Sequence, residues 1–404
     1  MRRRKLLVAH PSRIRGGCEE YAMTMAKAAA RAGWSVVGAF PCTEANQSMI
    51  EDIRALPHSV GYYSLPVSEI RGVQGQNRWN VFKHFLASLW VMLRGRPEAC
   101  LLALPTIQYM AGTIYASALL RIPTVVCFQY VHVFPYPDGC YPFPNWMLRL
   151  HRWARERGQQ YVAISKNNRA LVARNFRMPE EAIAVIYNGA SERFAQITAE
   201  ERAEKRAAIR GELGIARDTT LMLTIAALRR QKGHDLLIAA LPELCRKHPD
   251  TYWVWAGGGP EQETIEKQLR ESGHGDRVTL LGHRTDVDAL LCAADYFVFP
   301  TRFEGGQSFA LGEAMMAGVP VITTNASGIP EVVVDKEHAV VVEKENADAL
   351  RHGIDWALEH PEAMHAMAQR AQERVKAFSE TVMITQMLEA LETLTEGASK
   401  EATQ

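Results

Sequence analysis

At 404 residues the chain is long for one hydrophobic core, so two domains of about 200 residues each are expected. An apolar content of 47% and a charged content of 23% are those of a soluble globular protein. Seven cysteines, an odd count with no CxxC pair, argue against a disulfide framework and fit a reducing cytoplasm. The net charge of +1 conceals a split: residues 1–190 hold 23 Lys and Arg against 11 Asp and Glu, and the remainder holds 23 against 34. A basic first half points to an anionic partner such as a lipid headgroup or a phosphate, or else to complementarity between the two halves. It carries neither an aromatic-basic RNA motif nor zinc-finger spacing, so nucleic acid is not expected.

The chain opens with Met1, Arg2, Arg3, Arg4 and Lys5, like the start of a signal peptide, but the apolar run behind them is only Leu6 to Ala9, and His10-Pro11 stops it. It reads as a first strand. Gly16-Gly17 is a loop, Glu19 to Ala32 a helix with Gly33 after it, and Val36 to Phe40 a second strand. Trp79 to Arg96 is a helix rich in aromatics, with Lys83, Arg94 and Arg96. Two readings of it stand, a membrane-surface helix and a crossover helix packed on a sheet. Ala99 to Leu120 has no charge over 22 residues, long enough to span a bilayer. Pro105 divides it, however, into a strand (99–104) and a helix (106–120), and Thr124 to Phe128 is a further β-branched run. Strand, helix, strand without charge is the pattern of a parallel sheet covered on both faces. Tyr161 to Ile164 (strand), Lys166 to Asn175 (helix) and Ala184 to Tyr187 (strand) complete the first half.

Thr198 to Leu213 is charged and alanine-rich, and the domain boundary is expected just before it. Strands then follow at 220–226, 252–256, 278–281, 296–299 and 340–342, with helices at 234–248, 261–272, 286–293 and 347–377. A last helix at 379–395 leads into a disordered tail at 397–404. Two successive alternating halves imply two Rossmann-like domains with parallel sheets facing across a cleft, ligands binding at the carboxyl ends of the strands. The most informative stretch is Pro300 to Glu331. After the strand comes Gly305-Gly306, which lets the backbone approach a ligand; then Ser308 as N-cap; then a helix from Phe309 to Ala317 ended by Gly318. Glu304 and Glu313 flank the helix start.

Taken in order, Gly16-Gly17-Cys18-Glu19, Ala163 to Lys166, Val185 to Gly189, Lys232-Gly233, Ala256 to Pro260, Ala293 to Asp295, Phe299 to Thr301 and Glu313 to Val321 resemble the motifs of retaining glycosyltransferases of the GT-B fold, in the family 4-like group that builds bacterial polysaccharides and glycolipids. The resemblance covers nearly the whole chain. It implies an α/β protein of GT-B architecture, with an acceptor domain at 1–196, a donor domain at 197–377 and a C-terminal helix and tail at 378–404. It implies a hexose moved from a nucleotide-diphosphate sugar to a glycan or lipid-linked glycan in cell-surface polysaccharide synthesis. No cofactor and no metal are expected. The place of action is the cytoplasm or the inner membrane face, reached through an anionic surface. By the same resemblance Glu313 is the ribose ligand and Glu304 the sugar-side carboxylate. Cations at Lys232 and Arg229, with Arg230 beside them, and backbone N–H groups at Gly16, Gly17, Gly305 and Gly306 offset the diphosphate. Gln307, Ser308 and Phe309 complete the donor loop.

Three departures bear on this. The family's two glutamates are separated by seven residues; here Glu304 and Glu313 are separated by eight, and Gly305 holds the strict position. Ala226-Ala227-Leu228 stands where the family often has Gly-Arg-Leu, so its arginine is missing unless Arg229 replaces it. The family's catalytic histidine falls on Gln129, with His132 three residues on, either that group or a surface histidine. Asp286-Val287-Asp288 matches a metal-binding pattern, but reads better as a helix cap followed by a first-turn acid. Gly257 to Gly259 reads as a sugar-nucleotide loop, and Glu331 as a donor contact or a helix cap. Two other classes stay open: a nucleotide-sugar epimerase, and a non-catalytic sugar-nucleotide-binding subunit.

Overall fold

A computed structural model describes residues 3–13, 16–66, 78–131, 141 and 143–401. The chain forms two compact units, Met1–Tyr187 with Met383–Gln404, and Asn188–Val382. The division falls at 187/188, where the sequence alone suggested 196/197. The last helix, Glu380–Glu401, begins in the second unit and ends in the first.

The first unit is a seven-stranded parallel sheet. Its strands are β1 (Lys5–Ala9), β2 (Ser35–Phe40), β3 (Gly61–Ser64), β4 (Ala99–Leu104), β5 (Thr124–Phe128), β6 (Gln159–Ala163) and β7 (Ile183–Val185), in the order β3-β2-β1-β4-β5-β6-β7. β4 and β5 are buried along their whole length, as strands covered on both faces must be. Leu102, Val126, Phe128 and Tyr161 lie in the core beneath the helices. The polar groups of the uncharged stretch find partners inside: Gln159 donates to Ser117 Oγ at 3.0 Å, and Ser117 donates to the Ile114 carbonyl at 3.0 Å. Among the described residues no helix is long and apolar enough to cross a membrane.

The second unit is a six-stranded parallel sheet. Its strands are β8 (Thr220–Ile225), β9 (Thr251–Ala256), β10 (Val278–Gly282), β11 (Tyr296–Phe299), β12 (Val321–Thr324) and β13 (Val340–Val342), in the order β10-β9-β8-β11-β12-β13. Trp253, Trp255, Met222 and Val298 centre its core. Both units are Rossmann-like α/β layers.

Several boundaries differ from expectation. The helix expected from Thr106 begins at Ala111, because Met110 turns left-handed at φ 57° and ends the preceding loop. The helix expected over 347–377 is two, Ala347–Glu359 and Pro361–Val375; Pro361 has no N–H to continue the first and opens the second. The expected tail at 397 is helical through Glu401. Helices Gln47–Ala55 and Asn145–Arg155, and strand β3, are additions.

Candidate functional site

In the second sheet the strand order reverses between β8 and β11. The loops leaving the carboxyl ends of these two strands part there, which is where open parallel sheets form a binding crevice. These loops are bonded to one another. Gly233 has φ +72°, and a Cβ on it would lie 2.0 Å from the Pro300 carbonyl oxygen, so only glycine allows the approach. The Arg302 N–H donates to the Gln231 carbonyl at 2.8 Å, and Gln231 Nε2 donates to the Phe303 carbonyl at 2.8 Å. The Arg302 guanidinium forks onto both oxygens of Asp235, each at 2.7 Å, and also donates to the Arg230 carbonyl.

This frame holds Lys232 against Glu304. Nζ donates to Oε1 at 2.5 Å, and Thr301 Oγ1 donates to the same oxygen at 2.8 Å. The two side chains are only 16% and 9% exposed, so the pair needs this close geometry to offset its desolvation. The Lys232 ammonium also lies 5.1 Å from the Phe299 ring centroid. The Glu304 N–H donates to Ser327 Oγ at 3.3 Å, with Ser327 held at φ 47°, a left-handed conformation uncommon for serine. Although Gly305 holds the strict sequence spacing, the carboxylate that meets the lysine is Glu304.

Glu313 lies on the helix Phe309–Met316 and makes no side-chain hydrogen bond among the described residues. Burial pushes its carboxyl up to about 7, the Arg193 charge opposing and Glu380 reinforcing the shift. Beside it Gln307 is 2% exposed, and neither atom of its amide has a partner among the described residues. The Gln307 amide rests on Gly312, where a Cβ would come within 2.1 Å of Nε2. Gly306 is buried, while Gly305, Ser308 and Phe309 are half-buried. Ser308 stands at the N-cap in extended backbone, but its side chain makes no capping bond. Arg229 and Arg230 are exposed at the rim of the β8 loop.

Other expectations resolve differently. Gly257 and Gly259 are required by packing: Cβ atoms there would lie 2.0 Å and 2.3 Å from the carbonyl oxygens of Ala226 and Leu228. Asp286 stands at a helix N-cap but its side chain does not cap; it forks onto Arg284 at 2.7 and 2.6 Å. Asp288 pairs with Lys205 at 2.6 Å. Glu331 lies in the first turn of the short helix Ile329–Val332.

In the first unit Gly17 begins the helix Gly17–Arg31, and the Gly16 N–H donates at 2.9 Å to Glu19 Oε2. Glu19 is buried, which raises its carboxyl above the usual range. Gln129 is buried and donates to Cys127 Sγ at 3.4 Å. His132 lies outside the described residues. Sequence reasoning missed Arg193, Thr301, Ser327 and the Arg302–Asp235 fork. Only Thr301 had a signal, as the third residue of Phe299-Pro300-Thr301.

The architecture is that of two Rossmann-like units with parallel sheets, and a lysine, two glutamates and a glycine loop gather at the switch point of the second. Residues 15–193 match Glycosyltransferase Family 4 and residues 205–374 match Glycosyl transferases group 1, and the chain belongs to these GT-B glycosyltransferases. It is 29% identical over 201 residues to an uncharacterised glycosyltransferase of Methanocaldococcus jannaschii, covering 49% of this chain and 50% of that one. It is 32% identical over 172 residues to a GDP-mannose-dependent alpha-(1-6)-phosphatidylinositol monomannoside mannosyltransferase of Mycolicibacterium smegmatis, covering 41% and 45%. The chain thus spans about half the length of the curated relatives it matches. In fold it resembles the crystal structure of Anabaena HepE in complex with UDP, with a TM-score of 0.74 at 20% identity over 96% of this chain and 100% of that one.

Proposed function

We propose that this chain is a metal-independent, retaining glycosyltransferase that moves a hexose from a nucleotide-diphosphate sugar to a glycan or lipid-linked glycan used in cell-surface polysaccharide. The observation that carries the reading is the Lys232–Glu304 pair, held by Thr301 at the switch point of the second sheet. Lys232 offsets the diphosphate charge, with Arg229 and the N–H groups of the 305–308 loop assisting. Glu304, paired with that lysine, serves as the sugar-side carboxylate. Glu313 accepts the ribose hydroxyls, and in its ionised form it takes both. The bond between the sugar's anomeric carbon and the phosphate oxygen breaks, and the nucleoside diphosphate leaves with the electron pair. The acceptor hydroxyl oxygen bonds to the same face of that carbon and passes its proton to the departing phosphate oxygen. A relative named GDP-mannose-dependent and a fold neighbour bound to UDP both support this donor class.

The test is to incubate the protein with a panel of nucleotide sugars, with and without cell-envelope lipid extract, and follow free nucleotide. Acceptor-dependent release is expected. Conversion of the sugar without any acceptor would make the chain an epimerase instead. Binding without turnover would make it a non-catalytic subunit.

A further inference from the structure

The helix Arg78–Gly95 of the first unit is amphipathic in the wrong sense for a crossover helix. Its polar side chains face inward: Ser88 bonds Thr113 at 2.8 Å, His84 bonds Thr113 at 3.2 Å, and His84 also meets the Pro66 carbonyl at 3.0 Å. The helix Ala111–Leu119 comes so close on that side that a Cβ on Gly112 would lie 2.5 Å from the Phe85 nitrogen. The outward face carries Trp79, Phe82, Leu86, Trp90 and Leu93, each between 47% and 57% exposed. These five make up most of the eight exposed large hydrophobic residues among the described ones, and they follow one helical stripe. Beside the stripe lies a groove of about 530 Å³, walled by Phe82, Phe85, Trp146, Leu150 and Trp153 over Tyr115, with Arg78 at its edge.

Charge indicates what covers this face. Neither Arg78–Gly95 nor Asn145–Arg155, the helix across the groove, contains an Asp or Glu, while together they carry Arg78, Lys83, Arg94, Arg149, Arg152 and Arg155. The cations sit over the aromatics: Lys83 over Trp79 at 5.4 Å, Arg94 over Trp90 at 5.4 Å, and Arg78 over Trp146 at 5.8 Å. Indole and cation together, bordering an aliphatic stripe, suit the boundary between headgroups and acyl chains, where the rings sit at the interface and the charges meet lipid phosphate. A protein partner would need an acidic apolar patch of the same outline; a bilayer of anionic lipid supplies both features without a specific shape.

We propose that this face docks the protein on an anionic phospholipid bilayer, with the stripe entering the headgroup region and the groove taking a lipid hydrocarbon chain. The inference stands apart from the transfer reaction, because the vesicles that test it hold neither donor nor acceptor. The protein is floated with phosphatidylglycerol–phosphatidylcholine vesicles and with phosphatidylcholine alone, at low and high salt. Flotation with the anionic vesicles is expected, weaker at high salt. Leu86→Glu and Trp90→Glu should each lower binding about tenfold. Both side chains are exposed, so their melting curves should match the parent's and separate lost docking from lost folding. Bilayer insertion is read independently by quenching of tryptophan fluorescence with brominated lipid, which Trp79→Phe with Trp90→Phe should reduce. Absence of flotation at low salt, or unchanged binding by the two glutamate variants, would overturn the proposal. So would self-association that these variants abolish in a protein that ignores vesicles, since the face would then belong to a second copy.

Discussion

The two sheets share a connectivity and differ at their switch points. In the first, strand order reverses between β1 and β4, and β1 runs into buried His10 and Pro11 before Arg13 reaches the surface. His10 stacks on Phe40 at 4.5 Å with both ring nitrogens lacking partners among the described residues, and Glu19 turns back onto the Gly16 N–H. In the second, the reversal between β8 and β11 is spanned by Lys232–Glu304 and Arg302–Asp235. The same backbone plan therefore offers two strand-end edges, and only the second is described with ion pairs that tie its two loops together. In the first unit, six cations lie on the helices Arg78–Gly95 and Asn145–Arg155.

The contrast breaks most visibly at the charged edge. Glu304→Gln should lower turnover about a thousandfold, and Lys232→Ala should weaken nucleoside-diphosphate binding by about 2 kcal/mol in calorimetry. A variant with near-normal values would remove the distinction between the two edges. Next in size is the backbone contact that holds the charged loops together. Gly233→Ala puts a Cβ against the Pro300 carbonyl at positive φ, and should cost about 3 kcal/mol in urea unfolding. Gly258→Ala, with nothing near its Cβ, should stay within about 0.5 kcal/mol.

At the end of β1 in the first unit the effect is pH-dependent. Burial lowers the His10 ring to about 3 from an ordinary 6.5, so the unfolded chain takes up a proton that the fold refuses. Stability is lost as pH falls below 6.5, and the loss levels off below the folded value. His10→Phe should remove this term, so that the variant gains about 2 kcal/mol on the parent between pH 7 and pH 5 in denaturant titrations. The smallest effect concerns Glu313. With its carboxyl raised to about 7, ribose hydroxyls must bind the ionised form, so nucleotide affinity should fall about tenfold per pH unit below that value. Glu313→Gln should bind weakly at every pH.

What could be read from the sequence follows from what is local. β4, β5 and β11 are short apolar runs between breakers, and each stands where the pattern put it. β3 is a four-residue, half-buried edge strand without an apolar run and so has no period to read, whereas Asn145–Arg155 is clearly amphipathic, with Met147, Leu148, His151 and Ala154 on its buried face, and is obscured only by the aromatic, proline-rich stretch before it. In the site, the glycine loop and both carboxylates were visible in one stretch. The partner of Glu304 was not, because Lys232 lies 72 residues away and meets it only through the pairing of β8 with β11. Likewise the packing of Gly257 and Gly259 against the carbonyls of Ala226 and Leu228 could not be read from the sequence. A glycine pattern records a close approach without saying whether ligand or backbone makes it.

The return of the last helix to the first unit sets an order for building the molecule. Met383, Met387 and Leu391 are buried members of that unit, yet they are the last of its core to be translated. Segment 188–382 is continuous and leaves the ribosome whole before they do. The unit whose strands are made first is therefore completed by residues made after the whole of the second.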